Sequence, residues 1–177
     1  MRTDSPDPIA DPAGYQRHLL GLLGDDDPAA VQSATAASVR ALLRSAGPEA
    51  DVLPEPTEWS ALQCLAHMTD AELVVSGRYR WILAHDRPPL IGYDQDRWVD
   101  ELHRPPESPE ELLAVFEPLR AANIALWHRT SDERKDRIGM HAERGPESYD
   151  LTFRLIAGHD RFHLAQAERA LDAVRAS

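Results

Sequence analysis

Cysteine is nearly missing. Cys64 is the single one in 177 residues, so no intramolecular disulfide can staple the chain, and its stability must come from a buried core. Cys64 falls on a helical apolar stripe, where a buried structural thiol is the ordinary reading and a catalytic thiol the alternative. Long apolar runs are also lacking, and none approaches the roughly 20 residues that a membrane span needs. Basic residues are outnumbered: 19 Lys and Arg stand against 30 Asp and Glu, a net charge of -11. That balance argues against nucleic acid and against an anionic membrane surface as partners. The opening MRTDSPDPIADP carries no apolar core of a secretory leader, so the expected compartment is the cytoplasm. No phosphate-cradling glycine loop, nucleophile elbow or CxxC pair is found.

What the chain does have is a set of well-marked helix starts. Residues 1–12, rich in Pro and Asp, read as a flexible tail, and 13–177 as one domain. A short helix is expected over 13–23, stopped by Gly24. Asp27 followed by Pro28 opens the first long helix, with one face at 31, 34, 35, 38, 42 and 46. Ser60 with Gln63 and Ser108 with Glu111 are capping-box pairs opening the second and third. The third carries Leu112, Phe116, Leu119 and Leu126 with Asn123 in the same stripe. The fourth starts near Ser148 or Asp150 and runs to about Ala173. No strand alternation is apparent. The expected fold is all-α: an antiparallel four-helix bundle with a short extra N-terminal helix and a long connector, 85–107, between bundle helices 2 and 3.

Three of the eight histidines stand out. His159 and His163 are four residues apart on the fourth helix, which puts both rings on one face a turn apart. Thr152, Ile156, Gln166 and Ala170 continue that face, so the pair points into the bundle. Two buried imidazoles are costly unless something fills the space between them, and a divalent metal does so well. A pair of core or surface histidines is the plainer alternative. His67, on a stripe with Cys64, Met68, Ala71 and Val75, offers a third imidazole from another helix. Three neutral imidazoles would leave a fourth position for water or substrate, as in catalytic sites. His18, His85, His103, His128 and His141 lack partners at ligand spacing and are expected to be solvated.

TEWSALQCLAHMTDAE (57–72) and AGHDRFHLAQAERAL (157–171) resemble the two signatures of the DinB-like, or YfiT-like, superfamily. The first has a Trp-Ser helix start with a histidine seven residues on; the second has HDxxHLAQ. DRPPLIGYDQDRW (86–98) resembles the connector of many members. The resemblance covers about 28–172. It implies a four-helix bundle holding a divalent metal, nickel or zinc most often and manganese or iron otherwise, on His67, His159 and His163. It also implies a metal-dependent enzyme, with low-molecular-weight-thiol S-transfer as the leading form and hydrolysis as another, or else a non-catalytic binding or stress-response protein. A small-molecule substrate, such a thiol among the candidates, and a homodimer are the partners it implies.

Other residues carry two readings each. Asp70 and Asp160 either orient a metal ligand or make surface or inter-helix hydrogen bonds. Glu72 lies at the wrong helical angle to join His67. Asn123 and Gln166, polar on buried faces, either bond between helices or reach bound water or substrate. Trp59, Trp81, Trp98 and Trp127 read as core or interface packing. The 85–107 connector is far longer than the usual bundle link of about 2–8 residues. It either folds over one end of the bundle, placing Tyr93, Asp94, Gln95 and Asp96 in a substrate pocket, or covers apolar surface or a dimer interface.

Overall fold

The helices begin where the capping residues predict. In this computed structural model, which describes residues 6–176, α1 spans Pro12–Leu23, α2 Pro28–Ala46 and α3 Ala61–Ala84. The Asp27 carboxylate accepts the Ala29 N–H at 3.1 Å, with Pro28 in the first turn. At Ser60 the capping box closes in both directions: Ser60 Oγ accepts from the Gln63 N–H, and Gln63 Oε1 from the Ser60 N–H. Ser108 and Glu111 repeat it at the head of α5, Pro109–Arg129. The last helix, α7, is Tyr149–Ala176.

The four-helix bundle is made by α2, α3, α5 and α7. Each of α2 and α3 packs against both α5 and α7. Helix directions can be read from the cross-links. Gln32 bonds the Phe153 carbonyl, Thr35 bonds Asp160 and Arg175 bonds the Ser45 carbonyl, so α2 and α7 run parallel. Glu72 meets Arg120 and Ser76 meets Asn123, so α3 and α5 are parallel too. The α2–α5 and α3–α7 interfaces are antiparallel: Arg40 pairs with Glu117 while Gln32 receives Arg120 on its carbonyl, and Tyr79 packs on Tyr149 while Leu65 shares a cluster with Leu171. A parallel α3–α5 pair forces the intervening chain to return along a helix of 24 residues, roughly 36 Å at 1.5 Å per residue. This is the physical reason for the long connector.

That connector is more structured than its sequence indicates. It contains strand β1, Pro89–Leu90, and helix α4, Gln95–Leu102, whose first turn is capped by Asp94. A one-turn helix, α6 (Asp132–Lys135), then precedes β2 (Ile138–His141) and β3 (Gly145–Ser148). β2 is central, parallel to β1 and antiparallel to β3. The expectation of no strands is corrected here. Segments of two to four residues are too short for alternation to register in the sequence. At the N-terminus, residues 1–5 of the expected tail lie outside the described residues. Residues 8–11 turn instead of trailing, with the Asp7 carboxylate accepting the Ile9 and Ala10 N–H groups.

Two of the expected faces also shift. α2 buries Gln32, Val39 and Leu43 in place of 31, 38 and 42, and keeps Thr35 and Ala46 of the expected face. α5 buries Arg120 and Asn123 between Phe116 and Trp127. Both true stripes include polar residues whose partners lie on other helices. α1 lies on α7 so closely that a Cβ at Gly158 would come within 2.0 Å of the Leu19 carbonyl oxygen; only glycine permits this approach.

Candidate metal centre

The antiparallel α3–α7 interface brings three histidines together. His67 sits two turns into α3, its height set by the capping box at Ser60. His159 and His163 project from successive turns of α7. All three are buried. One ring nitrogen from each can be chosen so that all lie within 4.8 Å of one another, and no other such group of three occurs among the described residues. The Nε2 atoms of His67 and His159 face each other at 2.9 Å. The His163 ring lies 4.5 Å from that of His67 and 4.3 Å from that of His159, centroid to centroid.

Hydrogen bonding selects the ligand atom of one of them. His163 Nδ1–H donates to Gln166 Oε1 at 2.9 Å, so its Nε2 carries the lone pair. A hydrogen bond from the far ring nitrogen is how ligating histidines are held in orientation. Gln166, which the sequence offers either as an inter-helix bond or as a contact to bound water or substrate, bonds within α7 to a candidate ligand. Facing Nε2 atoms hold at most one proton between them, or else both turn lone pairs to one cation. Nitrogen ligands at about 2.0–2.1 Å from a tetrahedral zinc lie about 3.3 Å apart, close to the separation seen, and the donor set fits a divalent metal.

Burial and the charge of neighbours keep these rings neutral, the state that ligates. Burial first, then the adjoining histidines, pushes His67 and His159 well below the ordinary value of 6.5. Burial pushes His163 down to about 4. Trp59 stacks on His163 at 6.0 Å and tilts over His67 at 5.0 Å, and Phe162 meets His163 edge-on at 4.9 Å. Together they wall off one side of the cluster.

The other side opens on a cavity of about 560 Å³ whose lining includes His67, His159, Arg78, Tyr93, His141 and Arg144. Asp94, Gln95 and Asp96 from the connector also line it, as do Asp7 and Ile9. The Tyr93 ring lies 6.5 Å from that of His67 and rests on Trp98. Asn123, the remaining residue expected in the pocket, is elsewhere. Its amide nitrogen donates to Glu72 Oε1 and Ser76 Oγ, both at 2.7 Å, and its oxygen accepts from Arg80 at 3.0 Å. The cause is topological: α5 lies diagonally across the bundle from α7 and turns its polar stripe to α3.

The sequence profile of the DinB superfamily matches residues 26–167. The chain belongs to the DinB superfamily. A protein of Oceanobacillus iheyensis named "Putative metal-dependent hydrolase OB0413" is 25% identical over 115 residues, 64% of this chain and 65% of that protein. The match therefore spans just under two thirds of the relative's length. Among solved structures, YfiT from Bacillus subtilis, described as a probable metal-dependent hydrolase with an unusual four-helix bundle topology, aligns at a TM-score of 0.74. That alignment covers 96% of this chain and 90% of YfiT at 16% identity, so it shows the shared fold.

Behind the DinB histidines lies a buried ionic network that the sequence did not announce. Arg120 ion-pairs with both Glu72 and Asp160, and all three are under 4% exposed at the side chain. Thr35 Oγ1 donates to Asp160 at 2.9 Å, and Asn123 completes Glu72. Asp160 is thus an inter-helix partner. The available signal was Arg120 itself, in register with Phe116 and Asn123 on an inward face. A buried guanidinium demands carboxylates, and Glu72 and Asp160 are the ones positioned to answer.

Two histidines expected to be solvated are buried. His103, 7% exposed, is held between Asp70 at 3.0 Å and Glu107 at 2.8 Å. Burial alone would lower its pKa, but the two carboxylates prevail and raise it. His141, 3% exposed, ends β2 against the cavity. The i,i+4 spacing of His103 and Glu107 was legible; the hairpin that buries His141 was not.

Proposed function

We propose that the protein is a metal-dependent enzyme acting on a small molecule in the cavity beside His67, His159 and His163, with hydrolysis as the leading reaction. The observation that carries this reading is the convergence of three buried imidazoles, two of which, His67 and His159, line a 560 Å³ cavity. Names given to the Oceanobacillus relative and to YfiT support it. His67, His159 and His163 would hold one divalent ion, nickel or zinc. When bound, such an ion supplies Lewis acidity and lowers the pKa of a water or thiol beside it.

The chain's own residues do the rest. Gln166 fixes the His163 tautomer, and Trp59 and Phe162 keep water from the far side of the cluster. The connector carries Tyr93, Asp94, Gln95 and Asp96 to the cavity, where they would orient a bound substrate. Small-molecule thiol transfer is the second reading, and one observation favours it. The buried carboxylates Glu72 and Asp160 are tied to Arg120 and Asp70 to His103, so none of these three is free to act as a general base. A thiol is acidic enough to ionise beside a metal without one. Cys64 does not supply that thiol, because burial pushes its pKa up to about 12.

The test is a panel of activated esters and amides, and of small thiols with a haloaromatic electrophile, assayed with nickel- and zinc-loaded protein. A metal-dependent rate lost in His67→Ala supports the enzyme reading and chooses between its two forms. No metal-dependent rate with any of them would move the assignment to a binding role. We also propose that the chain pairs as a homodimer; a monomer mass by light scattering at high micromolar concentration would refute that.

A further inference from the structure

Two hydrogen-bond donors on the inner wall of the cavity have no acceptor in the protein. Arg78 is 6% exposed and lines the cavity. Its Nη2 donates to the Ile91 carbonyl at 2.5 Å, while its Nε–H has no partner. Among the described residues, no carboxylate lies within ion-pairing distance of this guanidinium. His141 lines the same cavity. Its Nδ1 accepts the backbone N–H groups of Glu143 and Arg144 at 3.2 and 3.4 Å, which places the ring proton on Nε2. That Nε2 also has no partner. Buried donors are nearly always paired, and an unpaired guanidinium is rarer still because burying charge without a counter-charge is costly.

The charges around these donors are arranged in layers. Arg144, on the same wall, is bonded to Glu147 at 2.5 and 3.1 Å. Glu147 is fully buried, also accepts from Gln16, and is therefore spent. Asp7, Asp94, Asp96 and Glu143 line the cavity too; Asp7, Asp94 and Glu143 are exposed and so belong to its mouth, and Asp96 is half-buried on the connector. A chain of net charge -11 thus keeps an inner wall with an unmatched positive charge and a neutral N–H donor, beside His67 and His159.

We propose that Arg78 and His141 form an oxyanion subsite that holds an anionic group of the substrate, carboxylate or phosphoryl, while its reactive group faces the three histidines. The planar guanidinium suits carboxylate and phosphate alike, so the shared chemistry is a small oxyanion. This inference rests on the reading of the cavity as the substrate site, and it names the class of substrate: a small molecule bearing an anionic group.

The experiment is calorimetric titration of succinate, inorganic phosphate and uncharged succinamide into chelator-treated and nickel-loaded protein. An oxyanion should bind both forms, and succinamide at least tenfold more weakly. Arg78→Gln should weaken oxyanion binding at least tenfold, Arg78→Lys less, and His141→Leu severalfold, with folding verified by thermal melting. If Arg78→Gln does not fold, Arg78→Lys and His141→Leu decide. Tighter succinate assigns a carboxylate and tighter phosphate a phosphoryl group; both support the subsite. Equal binding of succinamide, unchanged binding in the folded variants, or no oxyanion binding at all would overturn it. Because the chelator-treated protein is tested by itself, failure of the metal assignment and failure of the subsite are separately visible.

Discussion

His159 and Asp160 are consecutive, yet they face different neighbours of α7. His159 faces His67 across the α3–α7 interface at 2.9 Å, and Asp160 turns to Arg120 on α5. The ionic network is therefore one residue removed from the histidine cluster. It ties α5 to α7, which are otherwise diagonal in the bundle, and to α3 through Glu72.

Removing Arg120 would leave Glu72 and Asp160 buried without their counter-charge. Breaking a buried ion pair by truncating one partner costs about 3–5 kcal/mol. Arg120→Met is expected to lose stability of that order in urea unfolding, whereas Arg154→Met, at a half-buried pair with Asp150, is expected to lose little. A midpoint for Arg120→Met within error of the parent would show that the network does not support the fold.

Acidification should destabilise the metal-free protein before its carboxylates titrate. His163 and His141 are pushed down to about 4, and His67 and His159 well below 6.5. Unfolded, all four would bind protons near 6.5. The unfolded state thus takes up more protons in that window, and stability present above about pH 6.5 is lost as the pH falls toward 4. His103 has the opposite sign: its raised pKa gives stability below 6.5 that is lost as the pH rises through its folded value. Urea midpoints of chelator-treated protein should fall between pH 7 and 5, less steeply in His141→Gln. A flat profile over that range would contradict the burial of neutral imidazoles.

Gln166 offers a test of metal orientation that leaves the ligands in place. Loss of an outer-shell partner commonly costs 10–100-fold in metal affinity. Gln166→Leu should therefore bind nickel or zinc at least tenfold more weakly in competition with a chromophoric chelator, with an unchanged helical circular-dichroism spectrum. Gln166→Glu, which keeps an acceptor at the same reach, should restore most of the affinity. Parent-like affinity in Gln166→Leu would separate the amide from the site.

The parts legible in the sequence were those encoded locally. Asp27, Ser60 and Ser108 cap the helices they open, and the four-residue spacing of His159 and His163 puts both rings on one face. The capped starts indicate four helices in a bundle; which neighbours run antiparallel and which parallel depends on where the 85–107 chain runs in space. Arg120 does not stand out in the sequence, because a charge at an inward position looks like an interruption of an apolar stripe until Glu72 and Asp160 are seen opposite it. His141 reads as solvated because two- and four-residue strands leave no periodic trace, and only their pairing carries that ring to the cavity wall. Asn123 reads as a pocket residue because its inward position is visible in the sequence while the diagonal relation of α5 to α7 is not.

The central claim is that His67, His159 and His163 hold one divalent metal, and metal content tests it most directly. Protein purified without an affinity tag and measured by plasma mass spectrometry should retain close to one divalent ion per chain. His67→Ala, His159→Ala and His163→Ala should each lose most of it, because two imidazoles hold an ion far less tightly than three, while His128→Ala keeps it. Parent-like occupancy in folded His159→Ala and His163→Ala proteins would contradict the account.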